Sequence, residues 1–200
     1  MNRREASKIE TKNLILQAAK QLFRKKRVEE CTMRTIAARA GVSPASVIVH
    51  FKSKIALLEE ALEGEINSAL TELMVSMSNE QDFIDRFMHL STGMLRFYEK
   101  NRDLYRELVR YTLLEPTEEN PKITKQVEAY MQLLTGMVEQ EKSKGRLRQD
   151  LNPVHTAGSF FSLYLGTLIT FFRIPDMTSE AAADILASMA AEHVKGIIPE

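Results

Sequence analysis

Residues 32–51 read TMRTIAARAGVSPASVIVHF, and this stretch decides the fold. Thr32 is placed to cap a helix, its hydroxyl accepting from a backbone N–H that the first turn leaves unpaired. Ile36, Ala37 and Ala40 then share one helical face, with Arg34 and Arg39 elsewhere around it. Gly41 follows the last periodic residue, where a left-handed backbone without a Cβ ends a helix with little strain. Ser43-Pro44 starts a second helix at once, a cap followed by proline at the first helical position. Val47 and Phe51 are set to face back onto the first helix, leaving Ala45, Ser46, Val49 and His50 nearer the outer side. Stop, turn and restart within so few residues is the pattern of a helix-turn-helix, although an ordinary αα-hairpin carries the same local signals.

Charge bears on that choice. The chain is neutral overall, but thirteen basic residues stand against four acidic ones up to Lys54, a net +9, which leaves −9 on the remainder. A basic head on an acidic body directs a polyanion to one end of the molecule. A solvated basic face with no partner is the alternative, and a helix-turn-helix inside the same segment weighs against it.

Three blocks now stand together at fixed spacing: LILQAAKQLF (14–23), TMRTIAARAGVSPASV (32–47) and HFKSKIALLEEAL (50–62). In combination they resemble the N-terminal domain of the tetracycline-repressor (TetR) family of bacterial transcriptional regulators. The resemblance covers somewhat more than a quarter of the chain. It implies a helix-turn-helix DNA-binding domain over residues 7–62, with the motif itself at 32–51, and a helical effector-binding and dimerisation domain over 63–200. It also implies a regulator, most naturally a repressor, that binds a palindromic double-stranded DNA operator as a homodimer and is released by a small apolar or aromatic effector. A DNA-bound architectural protein without an effector is the first alternative, and a helical-bundle enzyme the second.

At the DNA, Arg34, Ser43, Lys52 and Lys54 are placed to meet phosphates by charge, hydroxyl or a helix N-terminus. Pro44, Ala45, Ser46 and Val49 lie early on the second helix, where side chains reach base edges. His50 matches a family position often occupied by His or Tyr, which implies a phosphate contact; a packed turn residue is the other reading. The family usually carries Tyr at position 48 and often a polar or aromatic residue at 49. Here Ile48 and Val49 have no hydrogen-bonding group, which favours apolar contact with thymine methyls.

Along the chain, residues 1–6 read as a mobile polar tail, and Ser7-Lys8-Ile9-Glu10 fits a capping box that starts the first helix. The family usually closes that helix with Gly near position 27, where this chain has Arg27. Ser53 caps a long helix running to about Met77, with Gly64 as a possible bend. Ser78-Asn79-Glu80 reads as a break, and Phe83–Tyr98 as the next helix. Asn101 is set to cap a shorter one through Leu114, and Pro116–Pro121 to form a polar loop. Ile123–Val138 then marks a helix stopped at Gly145. Asn152-Pro153 opens another, which Pro175 ends, and Thr178 or Ser179 opens the last. The expectation is an all-α chain of about nine helices without sheet.

In the body, Phe87, Met94, Tyr105, Tyr111, Met131, Leu134, Phe161 and Tyr164 suit a cavity for an apolar or aromatic molecule, and suit a filled core equally. Thr156–Phe172 carries no charge, yet its Gly, Ser and Thr content reads as a buried helix and not a membrane span. Gly158, Ser162, Gly166 and Thr170 recur every fourth residue, and Ala183, Ala187, Ala190 and Val194 form a similar strip on the last helix. Two such helices from each of two subunits would make a four-helix, two-fold interface; packing within one chain is the alternative.

A lone cysteine, Cys31, and no apparent N-terminal signal peptide suit the cytoplasm, with Cys31 a buried, unreactive thiol. The histidines His50, His89, His155 and His193 form no HExxH or repeated ExxH pattern, and Asp85–His89 reads as a surface pair. No catalytic residue, metal site or cofactor is expected.

Overall fold

Asn2, and not Ser7, opens the first helix of the chain. In the computed structural model, which describes residues 2–78, 81–113 and 121–198, α1 spans Arg3–Lys25. The Asn2 side chain accepts from the Arg4 N–H at 3.4 Å, and Glu5 accepts from the Asn2 N–H at 3.1 Å. That reciprocal cap sits one turn before the Ser7–Glu10 box, so residues expected to form a mobile tail are helical. At its far end the chain leaves α1 through an extended Lys26, φ −138°, into a 3-10 turn at Val28–Glu30. An extended exit needs no left-handed residue, which is why Arg27 serves where glycine was the family expectation.

The remaining helices are α2 (Met33–Ala40), α3 (Pro44–His50), α4 (Lys54–Ser76), α5 (Phe83–Glu99), α6 (Arg102–Thr112), α7 (Pro121–Ser143), α8 (Pro153–Arg173) and α9 (Ser179–Val194). No strand occurs among the described residues, so the chain is all-α as its patterning implies. Ser53, Asn152 and Thr178 each accept from a first-turn N–H at 3.0–3.1 Å. Gly145, at φ +70°, ends the turn after α7. Asn101 precedes α6 but its side chain makes no capping bond, contrary to the sequence expectation. Asn79, Glu80, Leu114 and 116–120 lie outside the described residues, and Pro121 begins α7 instead of closing a loop.

The chain packs as two units. The first comprises Met1–Asn67 with Asn101–Thr124, and the second Ser68–Lys100 with Lys125–Glu200. In the first, α1, α2 and α3 pack on one another, and Ile15, Ile36, Val47, Leu57 and Leu58 are fully buried. Arg24 and Tyr105 both bond the Glu65 carboxylate, at 2.7 and 3.3 Å. Buried Glu59 accepts from the Lys122 and Ile123 N–H groups at 3.1 and 2.8 Å, pairing the orphan donors of the first turn of α7. Cys31 is 1% exposed, and burial pushes its thiol up, as its default reading held.

In the second unit α9 packs on both α5 and α8. Phe83 and Phe87 meet Phe160 edge-on, at 4.8 and 5.2 Å between ring centres. Arg86, 3% exposed, donates to Glu141 at 3.0 Å and Gln140 at 2.7 Å. Burial raises the Glu141 carboxyl, but hydrogen bonds and charge from Arg146 and Lys144 outweigh it and hold the group below 4.5. In this unit Tyr164 is 7% exposed, and Tyr98 and Tyr130 are half-buried. Burial raises all three phenols, Tyr130 to about 12.

Glu141→Gln leaves the Arg86 guanidinium buried without its counter-ion, and urea unfolding at neutral pH is expected to show a loss of about 3 kcal/mol. A depressed carboxyl stabilises the fold above pH 4.5, and that contribution disappears as pH falls through its folded value. The variant therefore has a flatter acid limb. At the alkaline end, a phenol raised from 10 to about 12 stabilises the fold below pH 10 and loses that contribution as pH climbs toward 12. Phenolate absorbance of the native protein should show Tyr130 ionising about two pH units late, and Tyr130→Phe should remove that phase.

Candidate nucleic-acid interface

The turn between α2 and α3 is closed from both sides. Thr32 Oγ1 accepts from the Thr35 N–H at 3.1 Å, and Thr35 Oγ1 accepts in return from the Thr32 N–H at 3.0 Å. Gly41 adopts φ +70°, ψ +28°, and the Val42 N–H reaches the Ala37 carbonyl at 3.1 Å. Ser43 then caps α3, accepting from the Ser46 N–H at 3.1 Å, with its hydroxyl 2.9 Å from that of Ser46. Pro44 fills the first helical position.

These closures fix which way α3 faces. Val47 is fully buried and Phe51 is 2% exposed, both turned inward as their spacing implied. Ile48 and Val49 are 60% and 75% exposed. Pro44 and Ala45 are also exposed, and Ser46 is half-buried. Pro44, Ala45 and Val49 therefore share one open surface with Ile48. Ile48, paired with Val49 in the sequence as a side chain suited to thymine methyls, stands exposed directly beside it. Two β-branched apolar side chains this open on a seven-residue helix bury little within the chain.

The predicted phosphate residues divide. Arg34 and Lys52 are exposed. Lys54 donates to the Val28 carbonyl at 2.8 Å and so anchors the 3-10 turn. Arg39 is bound to Gln21 by two hydrogen bonds of 2.7 and 3.1 Å. His50 is half-buried with its ring 6.4 Å from that of Phe51, which suits a packed turn residue with one edge outward.

The body residues do not form one group. Tyr105 and Tyr111 belong to the first unit, and Phe87, Met94, Met131, Leu134, Phe161 and Tyr164 to the second. Phe87 and Leu134 are fully buried and Met94 is 7% exposed, as core residues are, while Met131 and Phe161 are half-buried. Of the small-residue strips, Ser162, Gly166 and Ala187 are exposed, and Gly158, Thr170 and Val194 half-buried. Ala183 and Ala190 are 8% and 0% exposed within the single chain. Because α9 packs on α5 and α8, those two alanines face inward, which corrects their assignment to an outer strip. His89 is half-buried, with Nε2 3.0 Å from Ser76 Oγ and 3.1 Å from the Leu73 carbonyl, in place of the expected surface pair with Asp85. No group of three potential metal ligands and no helix long and apolar enough to cross a membrane occurs among the described residues.

Comparison with known proteins agrees with this geometry. Residues 15–61 match the family described as bacterial regulatory proteins, tetR family. The chain is 28% identical over 188 residues, 94% of its length and 97% of its counterpart's, to an uncharacterised HTH-type transcriptional regulator, YvkB of Bacillus subtilis. It is 27% identical over 143 residues, 72% of each chain, to the nucleoid occlusion factor SlmA of Marinobacter nauticus. Its fold resembles that of Thermus thermophilus FadR, a TetR-family repressor solved with lauroyl-CoA. That likeness has a TM-score of 0.75 at 19% identity and covers 94% of this chain and 96% of the other. Residues 15–61 are a helix-turn-helix DNA-binding domain of the bacterial tetR family, and over nearly its whole length the chain is similar to an HTH-type transcriptional regulator.

Proposed function

We propose that this regulator is a cytoplasmic repressor that holds a palindromic operator as a homodimer and is released when a small molecule binds its body. Residues 7–62 form the DNA-binding domain in this reading, and 63–200 the effector-binding and dimerisation domain. The observation that carries it is the outward Ile48–Val49 pair on a capped helix inside the basic segment. One copy of α3, seven residues long, makes few base contacts. Two copies about 34–36 Å apart reach successive major grooves and prefer two-fold symmetric sites. The uncharged, open strip of Ser162 and Gly166 on α8 supports pairing between chains. The similarly folded FadR repressor, solved in complex with lauroyl-CoA, supports a small-molecule effector.

Release requires that the effector bind the DNA-incompetent arrangement more tightly, and affinity falls only by that ratio. A DNA-bound factor without an effector is the second reading, favoured by the likeness to a nucleoid occlusion factor. A thermal-shift screen separates the two, because an effector raises stability by mass action.

Gel shifts with the DNA upstream of the gene, in a salt series, test operator binding directly. Binding should exceed that to random duplex, with log K falling linearly against log salt. Lys52→Ala and Arg34→Ala should each weaken operator and random duplex alike and lower the salt slope by about 1. Val49→Ala should instead cost about 1 kcal/mol on the operator and little on random duplex. No preference over random duplex would overturn operator recognition. A monomer by light scattering at working concentration would overturn the two-fold reading.

A further inference from the structure

The packed face of α1 runs on past the end of the core. Ile15, Ala19 and Phe23, at four-residue steps, are 0%, 0% and 3% exposed, and this side of the helix packs on α2 and α3. Lys8 and Arg4 precede Ile15 by seven and eleven residues, which returns both to that same side. There the covering gives out. Thr11 and Lys12 are half-buried, and Arg4 and Lys8 are exposed. Roughly two turns of α1 therefore overhang the core, with cations at the positions where the packed turns carry apolar side chains.

Lys12 marks where the overhang starts. Its ammonium lies 5.7 Å from the centre of the Phe51 ring and 2.5 Å from a Glu60 carboxylate oxygen. Phe51 closes α3, and exposed Lys52 follows it. The overhang thus leaves the core beside the C-terminal end of the helix that carries Ile48 and Val49. Arg4 and Lys8 have no ion-pair partner among the described residues. Of the neighbouring acids, Glu5 is turned back onto the Asn2 N–H at 3.1 Å, and Glu10 lies on the opposite side of the helix. The reciprocal cap at Asn2 keeps the overhang helical although most of it is exposed, so its cations are held in place before any partner arrives.

We infer that the overhang is a second DNA contact, in which Arg4 and Lys8 meet backbone phosphates beyond the C-terminal end of α3. The segment lies ahead of residues 15–61, the part that matches the tetR family. Arg4 and Lys8 stand about 6 Å apart along the helix axis, so each takes its own phosphate and neither reads a base. The contact rests on the DNA-binding reading. It adds affinity without changing which sequence is preferred.

Gel shifts of the full-length protein on random duplex and on the DNA upstream of the gene, from about 50 to 200 mM salt, test it. Arg4→Gln and Lys8→Gln should each lower the slope of log K against log salt by about 1 per bound subunit and weaken both duplexes roughly eightfold near 0.1 M salt. Arg4→Lys, which keeps the charge, should restore the slope. Arg3→Gln removes the same charge one residue away and about 100° around the helix, and should change the slope little. Circular dichroism should be the same for all four variants. Equal losses in Arg3→Gln and Arg4→Gln would reduce the effect to diffuse charge and overturn the contact. An unchanged slope in the Arg4→Gln/Lys8→Gln double variant also overturns it, and leaves DNA binding through α3 standing. A loss confined to the upstream DNA overturns the assignment to phosphate. Wild-type protein that binds neither duplex overturns the DNA-binding reading itself.

Discussion

The angle between α2 and α3 rests on one left-handed residue. At Gly41 the chain reverses within a single turn, and the Val42 N–H closes it on the Ala37 carbonyl. A Cβ added there would meet nothing within 4 Å, so the demand for glycine is one of backbone conformation and not of space. Everything about the outer face follows. With α3 leaving the turn in this direction, Val47 and Phe51 complete the core of the first unit, and Ile48 and Val49 are the residues left outside. A different exit from α2 would rotate α3 about its axis and exchange the two pairs.

The basic head is less available than its net charge suggests. Lys12 pairs with Glu60, Arg24 with Glu65 and Arg27 with Glu29. Lys54 and Arg39 are held by a carbonyl and an amide. These pairs orient α1 and the 3-10 turn against α4, at modest energy each because most are exposed. Arg34 and Lys52 are among the basic side chains that stay exposed. In the proposed reading the charge asymmetry directs the approach of DNA, and α3 carries the side chains that read it.

Most of the fold could be read from the chain because its signals are local. Ser43-Pro44, Asn152-Pro153 and Thr178 carry their caps in their own side chains, and Gly41 and Gly145 are the two residues with positive φ among those described. The expectations that failed depend on competition or on distant packing. Asn2 and Glu5 formed a better cap than Ser7 and Glu10, and only the backbone decides between two overlapping boxes. Ala183 and Ala190 recur at the same spacing as the exposed Ala187, but α9 is covered on two sides, by α5 and α8, and spacing alone does not reveal a second neighbour. Lys54 looked like a phosphate ligand until a turn twenty-six residues earlier came within reach of its ammonium group. The candidate DNA face was legible as far as which helix carries it. Which aromatics of the body pack on one another was not, because α5, α7 and α8 are brought together only by folding.

The outward Ile48–Val49 pair has a thermodynamic consequence. In the free protein both side chains order water, and a complex that seats them against thymine methyls releases it. Contacts to phosphate do nothing of the kind. Sequence-specific complexes should therefore carry a negative heat-capacity change that loosely held, backbone-only complexes lack. Because apolar association strengthens on warming from the cold, discrimination between the right site and the rest of the chromosome would sharpen with temperature, even as the ionic grip common to both stays much the same.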